Sequence, residues 1–257
     1  MPNTISVDIV TITSKVDDAL FATLNNVSQQ SYQAINHIII YRQASEEEIA
    51  KLSNFSHHKN LLFHPQEGKG IASAFNNGIE RSNGNLVLFL NAGDTLVSND
   101  VIERVAKSYD RDRWLWATGE TISVSKNRYL KNHRPQHQTW DSSLFLYGNP
   151  VCHQSTFYSR DLIAKVGSYN ETLAVEMDYE YNIRANLVSS PTLLYFPIAY
   201  YDTTGVSSVR VFKQFGYHRQ IRDRFFPLSG LNRLKVDTYC LLKSTLRLFM
   251  IPAKLWL

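Results

Sequence analysis

The residues of this chain best placed to do chemistry fall in four short clusters. In Leu86-Val-Leu-Phe-Leu-Asn-Ala-Gly-Asp94 an apolar run passes without a break into a small polar turn that ends in a carboxylate. A carboxylate there can hold a hard divalent cation, which keeps several waters and bridges to substrate phosphates. The same four turn residues also read as an ordinary strand-terminating turn in which Asp94 caps the next helix. Upstream, Glu67-Gly-Lys-Gly-Ile-Ala-Ser-Ala-Phe-Asn-Asn-Gly78 puts glycines and Lys69 just ahead of a helix, where backbone amides can approach a phosphate. It has neither the Gly-Lys-Ser/Thr ending of a Walker loop nor a dinucleotide fingerprint, so taken alone it reads better as a plain Gly-rich turn.

The third cluster, Glu176-Met-Asp-Tyr-Glu180, opens a helix that also carries Ile183, Arg184 and Leu187. Asp178 and Glu180 are two apart and point about 200° away from each other on a helix. One is then expected to face a cleft and the other solvent, while the simpler reading is acids complementing the helix dipole in its first turn. The fourth cluster, Cys152-His-Gln-Ser155, precedes a short strand. No Ser, Cys and His order here suggests a hydrolase triad, and a lone His is more often structural than catalytic.

These clusters must be positioned by the elements around them. Val7 to Thr13 is a β-branched run, and Asp17 to Gln29 places Leu20, Phe21, Leu24 and Val27 at helical spacing. Ile35 to Tyr41 is another short apolar run. Glu46 to Leu52 reads as a helix, with Ser45 as N-cap and Glu48 completing a capping box. Leu61 to Phe63, a helix from about Ile71 to Arg81, the run Leu86 to Leu90 and a helix from about Asn99 to Ser108 complete the series. Strands alternating with helices predict a parallel sheet with right-handed crossovers, its strands buried on both faces and therefore continuously apolar. Ligands of such sheets bind beyond the carboxyl ends of the strands. After residue 110 the pattern predicts short strands at Trp114–Thr118, Thr121–Val124, Arg128–Lys131 and Ser155–Tyr158. Helices follow at Asp161–Val166 and Met177–Leu187, then a strand at Leu193–Phe196, and a helical, amphipathic, basic stretch from Val209 onward.

Composition excludes a disordered or fibrous chain, since 44% hydrophobic and 12% aromatic residues over 257 positions suffice for a sizeable core. The net charge of +4 is unevenly spread: residues 205–257 hold ten Lys or Arg against Asp223 and Asp237, leaving the remainder mildly acidic. Two cysteines, Cys152 and Cys240, are too few and too far apart for a disulfide framework or a four-ligand zinc site, which points to reduced, cytoplasmic thiols. No signal peptide is evident at Met1 to Thr13, and the most apolar stretch, Tyr239 to Leu257, is broken by Lys243, Arg247, Pro252 and Lys254.

Taken in order, the clusters resemble glycosyltransferase family 2, most closely the bacterial exopolysaccharide and colanic-acid type, over roughly residues 5 to 210. The resemblance rests on Val10-Thr-Ile-Thr-Ser14, Val27-Ser-Gln-Gln-Ser-Tyr32, the Gly-Ile-x-x-Ala-x-Asn-x-Gly segment from Gly70 to Gly78, and the turn from Phe89 to Asp94. It continues with His153, Gln154 and Phe157, then Asp178, Tyr179 and Arg184, then Gly205 and Ser207 before a basic helix.

The resemblance implies an α/β GT-A fold: a Rossmann-like, mostly parallel central sheet flanked by helices, with a C-terminal helical extension. Residues 1–208 would form the catalytic domain, about 1–110 the nucleotide-sugar half and about 111–208 the acceptor half, with 209–257 a basic amphipathic tail. The implied reaction is inverting transfer of a sugar from a nucleotide-diphosphate donor to a hydroxyl of a lipid-linked glycan acceptor in bacterial surface polysaccharide synthesis. Asp178 would be the general base and Asp94 the ligand of a divalent cation, Mn2+ or Mg2+. Donor contacts would come from Thr13, Arg42, Lys69, Asn76 facing the donor from its helix, Asn91, Ala92, His153, Arg210 and Lys213. Two positions depart from the family pattern. Many relatives end the second strand in Asp-Asp-Gly-Ser, where this chain has Ile40-Tyr-Arg-Gln-Ala-Ser45, with Arg42 and Ser45 as substitutes. Gly93 stands where many have a second Asp. The altered second strand motivates the alternative of a catalytically degenerate nucleotide-sugar-binding protein of an assembly complex. A lipid-linked acceptor would make the tail a membrane-docking element on the inner face of the cell membrane, through Arg219, Arg222, Arg224, Arg233, Lys235, Lys243 and Arg247 with Phe225, Phe226, Leu241, Leu242, Phe249 and Trp256; nucleic acid is not an expected partner.

Overall fold

A computed structural model of the chain describes residues 4–55, 60–125, 128–133, 139–202 and 211–255. The first four long strands are β1 (Val7–Thr13), β2 (Ile35–Tyr41), β3 (Leu61–Pro65) and β4 (Leu86–Phe89). They pair only in parallel, in the order β3-β2-β1-β4. Helices α1 (Asp18–Ser28), α2 (Glu46–Asn54) and α3 (Ile71–Arg81) connect them, and α2 carries the expected capping box between Ser45 and Glu48. Both faces are covered, which explains the unbroken apolar runs. Val10, Ile38, Val87 and Phe89 face one core with Phe75 of α3, while Val7, Ile9, Leu86 and Leu88 face the other. Gly78 of α3 lies against β1 so closely that a Cβ there would sit 2.3 Å from Val10 Cγ1.

The two-residue strand β5 (Thr95–Leu96) and helix α4 (Val101–Asp112) follow β4. The stretches expected as two short strands before and after Gly119 form one strand, β6 (Trp116–Ser125), which pairs with β7 (Arg128–His133). Its register against β9 (Thr192–Asp202) shifts on both sides of Glu120. There a Cβ on Gly119 would lie 2.5 Å from Ile198 Cγ1, so the glycine marks a close strand-to-strand approach and not a turn. Strand β8 (Thr156–Ser159) is inserted antiparallel between β4 and β6, giving the full order β3-β2-β1-β4-β8-β6-β9-β5. The strands before and after residue 110 thus share one sheet. Helices α5 (Arg160–Val166) and α6 (Met177–Val188) cover the face that α3 covers.

The C-terminal stretch forms α7 (Val211–Phe225) and α8 (Gly230–Leu255). Among the described residues no helix is long and apolar enough to cross a membrane. The tail is docked on the body: His218 stacks on Tyr179 of α6 with ring centroids 4.5 Å apart, and Lys243 Nζ donates to the Tyr147 carbonyl at 3.3 Å. The expectation that Arg219, Arg222 and Arg233 serve a membrane surface is corrected for Arg222. Its guanidinium is wholly buried and bonded to Asp223 at 2.6 Å and Asp237 at 2.7 Å, and Arg219 and Arg233 pair with the same two acids. Among the residues that α8 leaves exposed, Leu231, Leu234, Leu241 and Leu242 share one face, alongside polar residues such as Asn232, Lys235 and Thr238. Phe249 and Trp256 lie outside the residues whose side chains are described.

Candidate active site

Topology brings two carboxylate-bearing segments to one place. Strand β4 ends at Phe89 and delivers Asn91 to Asp94 beyond the carboxyl end of the sheet. Its antiparallel register with β8 (Leu86 with Ser159, Leu88 with Phe157) runs residues before β8 back alongside that turn. His153, in a short 3-10 turn (His153–Ser155), therefore meets Asn91, with Asn91 Nδ2 to His153 Nε2 at 3.0 Å. The other ring nitrogen of His153 lies 3.8 Å from Asp178 Oδ2. Phe75 packs edge-on against the imidazole at 5.7 Å between centroids and holds the ring in this bridging position.

The turn itself is tied to α1. Thr23 is fully buried; its hydroxyl donates to the Asp94 carbonyl at 2.8 Å and accepts from Gly93 N at 3.0 Å. Gly93 has φ of 96°, a left-handed conformation that a side chain disfavours, so an aspartate at this position is strained in this turn. Asp94 is buried, and Asn91 Oδ1 is buried without a hydrogen-bond partner. Among the described residues there is no group of three or more His, Cys, Asp or Glu able to hold a metal. One buried carboxylate with an orphaned oxygen acceptor beside it suits a hard ion that takes its remaining ligands from water and phosphate.

Asp178 enters the site from the first turn of α6. The N-cap of that helix, Glu176, has φ of 61°, and backbone strain of this kind persists where the surrounding structure enforces it. Burial pushes the Asp178 carboxyl up, but the facing His153 ring and the amides of Tyr179 and of Asp178 itself outweigh it and hold it below the ordinary aspartate value. Asn149 Nδ2 donates to Asp178 Oδ2 at 3.0 Å. The expectation that Asp178 and Glu180 divide between cleft and solvent is corrected: Glu180 is 5% exposed and is held by Arg184 at 2.8 Å. Burial, with the charges of Asp178 and Asp94 adding to it, raises the Cys152 thiol to about 11, so this cysteine is protonated at neutral pH.

The other expected donor residues are distributed unevenly. Thr13 ends β1, with its hydroxyl turned onto the Lys15 carbonyl, and Arg42 begins the segment after β2, its side chain exposed. Lys69 is exposed in the turn before α3, which is stapled by Ser73 Oγ to the Glu67 carbonyl and by Asn77 Oδ1 to Glu67 N at 2.7 Å. Ala92 donates its amide to Ile12 O at 3.3 Å. Ser45, read as a substitute for the missing acid, is spent on the cap of α2. Asn76 does not turn outward. Its Nδ2 donates to Tyr169 O at 3.1 Å and Glu171 Oε1 at 2.7 Å, and its Oδ1 accepts from Tyr169 N at 2.7 Å, so the amide ties α3 to the loop before α6. Arg210, Gly205 and Ser207 lie outside the described residues, as does the side chain of Lys213 on α7. Thr23, Asn149 and Asn182 escaped the sequence reading. The turn signal Gly148-Asn149-Pro150 and the four-residue spacing of Asn182 from Asp178 on α6 are the only traces they leave.

The mixed sheet, with two carboxylate-bearing segments converging beyond the carboxyl end of its interior strand β4, has the GT-A fold. Residues 8–167 match the model of glycosyl transferase family 2, more than half of the chain, and the chain belongs to that family. It is 29% identical over 233 residues to an uncharacterized glycosyltransferase of Mycobacterium tuberculosis, covering 88% of this chain and 87% of that one. A PGL/p-HBAD biosynthesis glycosyltransferase of Mycobacterium bovis is 27% identical over 215 residues, 80% of this chain and 81% of its own. Among solved structures, residues 1–349 of Staphylococcus aureus TarS with UDP-GlcNAc superpose with a TM-score of 0.71 at 14% identity, over 92% of this chain and 71% of that one. Mannosyltransferase PcManGT of Pyrobaculum calidifontis, in complex with GDP-Man and Mn2+, gives 0.61 at 13% identity, over 99% and 75%.

Proposed function

We propose that the chain is an inverting glycosyltransferase that moves a sugar from a nucleotide-diphosphate donor to a hydroxyl of a lipid-linked glycan acceptor, at the cytoplasmic face of the membrane, in bacterial surface polysaccharide synthesis. The observation that carries this reading is the bridge from Asn91 through His153 to Asp178, which links the turn at the end of β4 to the carboxylate of α6. In this reading Asp178 accepts the acceptor's hydroxyl proton while that oxygen attacks the anomeric carbon and the bond to the diphosphate breaks on the opposite side. A carboxyl held below its ordinary value is ionised at neutral pH and ready for that proton.

Asn91 Oδ1, buried and unsatisfied, would accept from a donor hydroxyl, and Thr13, Arg42, Lys69, Ala92 and His153 would line the donor's path, with Arg210 and Lys213 supplying charge to the diphosphate. Asp94 would hold Mn2+ or Mg2+, and the ion when bound neutralises charge developing on the departing diphosphate. The nucleotide sugars in the TarS and PcManGT complexes, and Mn2+ in the latter, support this assignment. The exposed leucine face of α8, with Lys235 exposed within it, supports docking to an anionic membrane where a lipid-linked acceptor resides. The test is a screen of UDP-, GDP- and dTDP-sugars for thermal stabilisation with and without Mn2+, followed by transfer with the donor found. A donor at about 100 times its Kd adds about 2.7 kcal/mol. No stabilisation by any nucleotide sugar, with or without the ion, would reject the reading.

A further inference from the structure

Behind Asp178 runs a chain of two amides, one half-buried and one fully buried, that the transfer reaction does not use. Asn149 Nδ2 donates to Asp178 Oδ2 at 3.0 Å, and Asn149 Oδ1 accepts from Asn182 Nδ2 at 3.2 Å. Asn182, fully buried, accepts in turn from the Tyr158 hydroxyl at 2.6 Å. The polarity of this chain has one solution when Asp178 is ionised. A carboxylate only accepts, so Asn149 must present its NH2 to it and its oxygen to Asn182. Asn182 must then present its NH2 to Asn149 and its oxygen to Tyr158, whose hydroxyl has to donate. Burial raises the Tyr158 phenol well above its ordinary value, which favours the protonated, donating form.

We propose that Tyr158, Asn182 and Asn149 form a one-way hydrogen-bond relay that locks the Asp178 carboxylate by its Oδ2 oxygen and leaves Oδ1 for the acceptor hydroxyl. The three are positioning residues acting through Asp178, and their role in transfer rests on the reading of Asp178 as base. The relay is anchored in regular elements at its far end: Tyr158 lies in the central sheet on β8 and Asn182 lies one turn beyond Asp178 on α6, while Asn149 precedes Pro150. The loop that carries Asn149 is itself held, by Tyr179 OH to Phe145 O at 2.5 Å and by the tail at Tyr147. A donor fixed on Oδ2 bonds the ionised carboxylate more strongly than the protonated acid and so favours the ionised form.

The experiment measures the titration of Asp178 in the full chain in two ways: the 13C carboxyl resonance of labelled aspartate, assigned by its loss in Asp178→Asn, and the acidic limb of the transfer rate. The other titratable groups facing this carboxyl are His153 and Cys152 from the turn before β8, Tyr158 from β8 and Tyr169 from the loop before α6, and all are unchanged in Asn149→Ala. Asn149→Ala is expected to raise both readouts by about one pH unit, and Asn149→Asp by more, because it sets a like charge beside the carboxyl. Tyr158→Phe is expected to raise them less and to have no further effect in the Asn149→Ala background, since the relay reaches Asp178 only through Asn149. Folded Asn149 variants with an unshifted carboxyl resonance, or additive effects of the two substitutions, would overturn the relay. Transfer surviving in Asp178→Asn would reject the base assignment, while the resonance would still decide the relay.

Discussion

His218 couples the tail to the helix that bears Asp178, and its titration has a calculable consequence. The imidazole is 7% exposed, stacks on Tyr179, and has Nε2 buried without a partner. Burial, then the charges of Arg222 and Lys243, push its pKa from 6.5 down to about 4, with Asp223 opposing them. As pH falls, the unfolded chain therefore takes up a proton that the folded chain refuses. The stability involved is fully present above about 6.5 and is lost progressively down to about 4. At pH 5.5, where ordinary carboxylates are still mostly ionised, the loss amounts to about 1.4 kcal/mol, and at pH 7.5 it is under about 0.1 kcal/mol. His218→Phe keeps an aromatic ring against Tyr179 and removes the titration. Urea unfolding of both proteins at the two pH values isolates the effect, because every other titrating group is shared. The variant should gain about 1.4 kcal/mol on the wild type between pH 7.5 and 5.5, or about 3–5 °C in Tm. An unchanged difference between the two proteins across that interval would refute a buried neutral His218 and with it the tight docking of α7 on α6.

Three further outcomes follow from other contacts. His153→Ala removes the largest of the contributions that oppose burial at Asp178, so the carboxyl should rise and the acidic limb of the transfer rate should move upward by about one pH unit; a limb that stays in place contradicts the coupling. Gly78→Ala drives a Cβ to within 2.3 Å of Val10 Cγ1 and should cost about 1–3 kcal/mol, read as a lower urea midpoint at unchanged slope. Leu231→Ser combined with Leu234→Ser should weaken salt-sensitive sedimentation with anionic vesicles while leaving Tm within a few degrees, since both side chains are exposed, and unaltered sedimentation would remove α8 as the docking face.

The first hundred residues were readable because their periods are local properties. β1, β2 and α3 begin and end where the apolar patterns do, and the capping box at Ser45 forms as its spacing requires. Non-local contacts defeated the pattern elsewhere. Gly119 fell between two separately expected strands because its reason for being glycine, the approach of Ile198 and Phe196, lies on a strand far along the chain. β9 runs through Pro197, where the shifted register against β6 accommodates a residue that local rules exclude from strands. The two carboxylates of the site announced themselves by type and position, but their partners did not. Asn76 was expected outward because nothing near it in sequence reveals Tyr169 and Glu171, and the tail arginines read as free charge because Asp237 meets Arg222, and Asp223 meets Arg233, only once α7 and α8 pack.

The central claim is that Asp178 is the base of a sugar transfer supported by the bridge through His153 to Asn91. It is tested most directly by comparing single-turnover transfer by the wild type and by Asp178→Asn, at saturating donor and with the donor's binding measured alongside. The rate is expected to fall by at least about 10²-fold in the variant with donor affinity retained. Transfer at near wild-type rate by Asp178→Asn would contradict it, as would a wild type that binds the donor and turns over no acceptor.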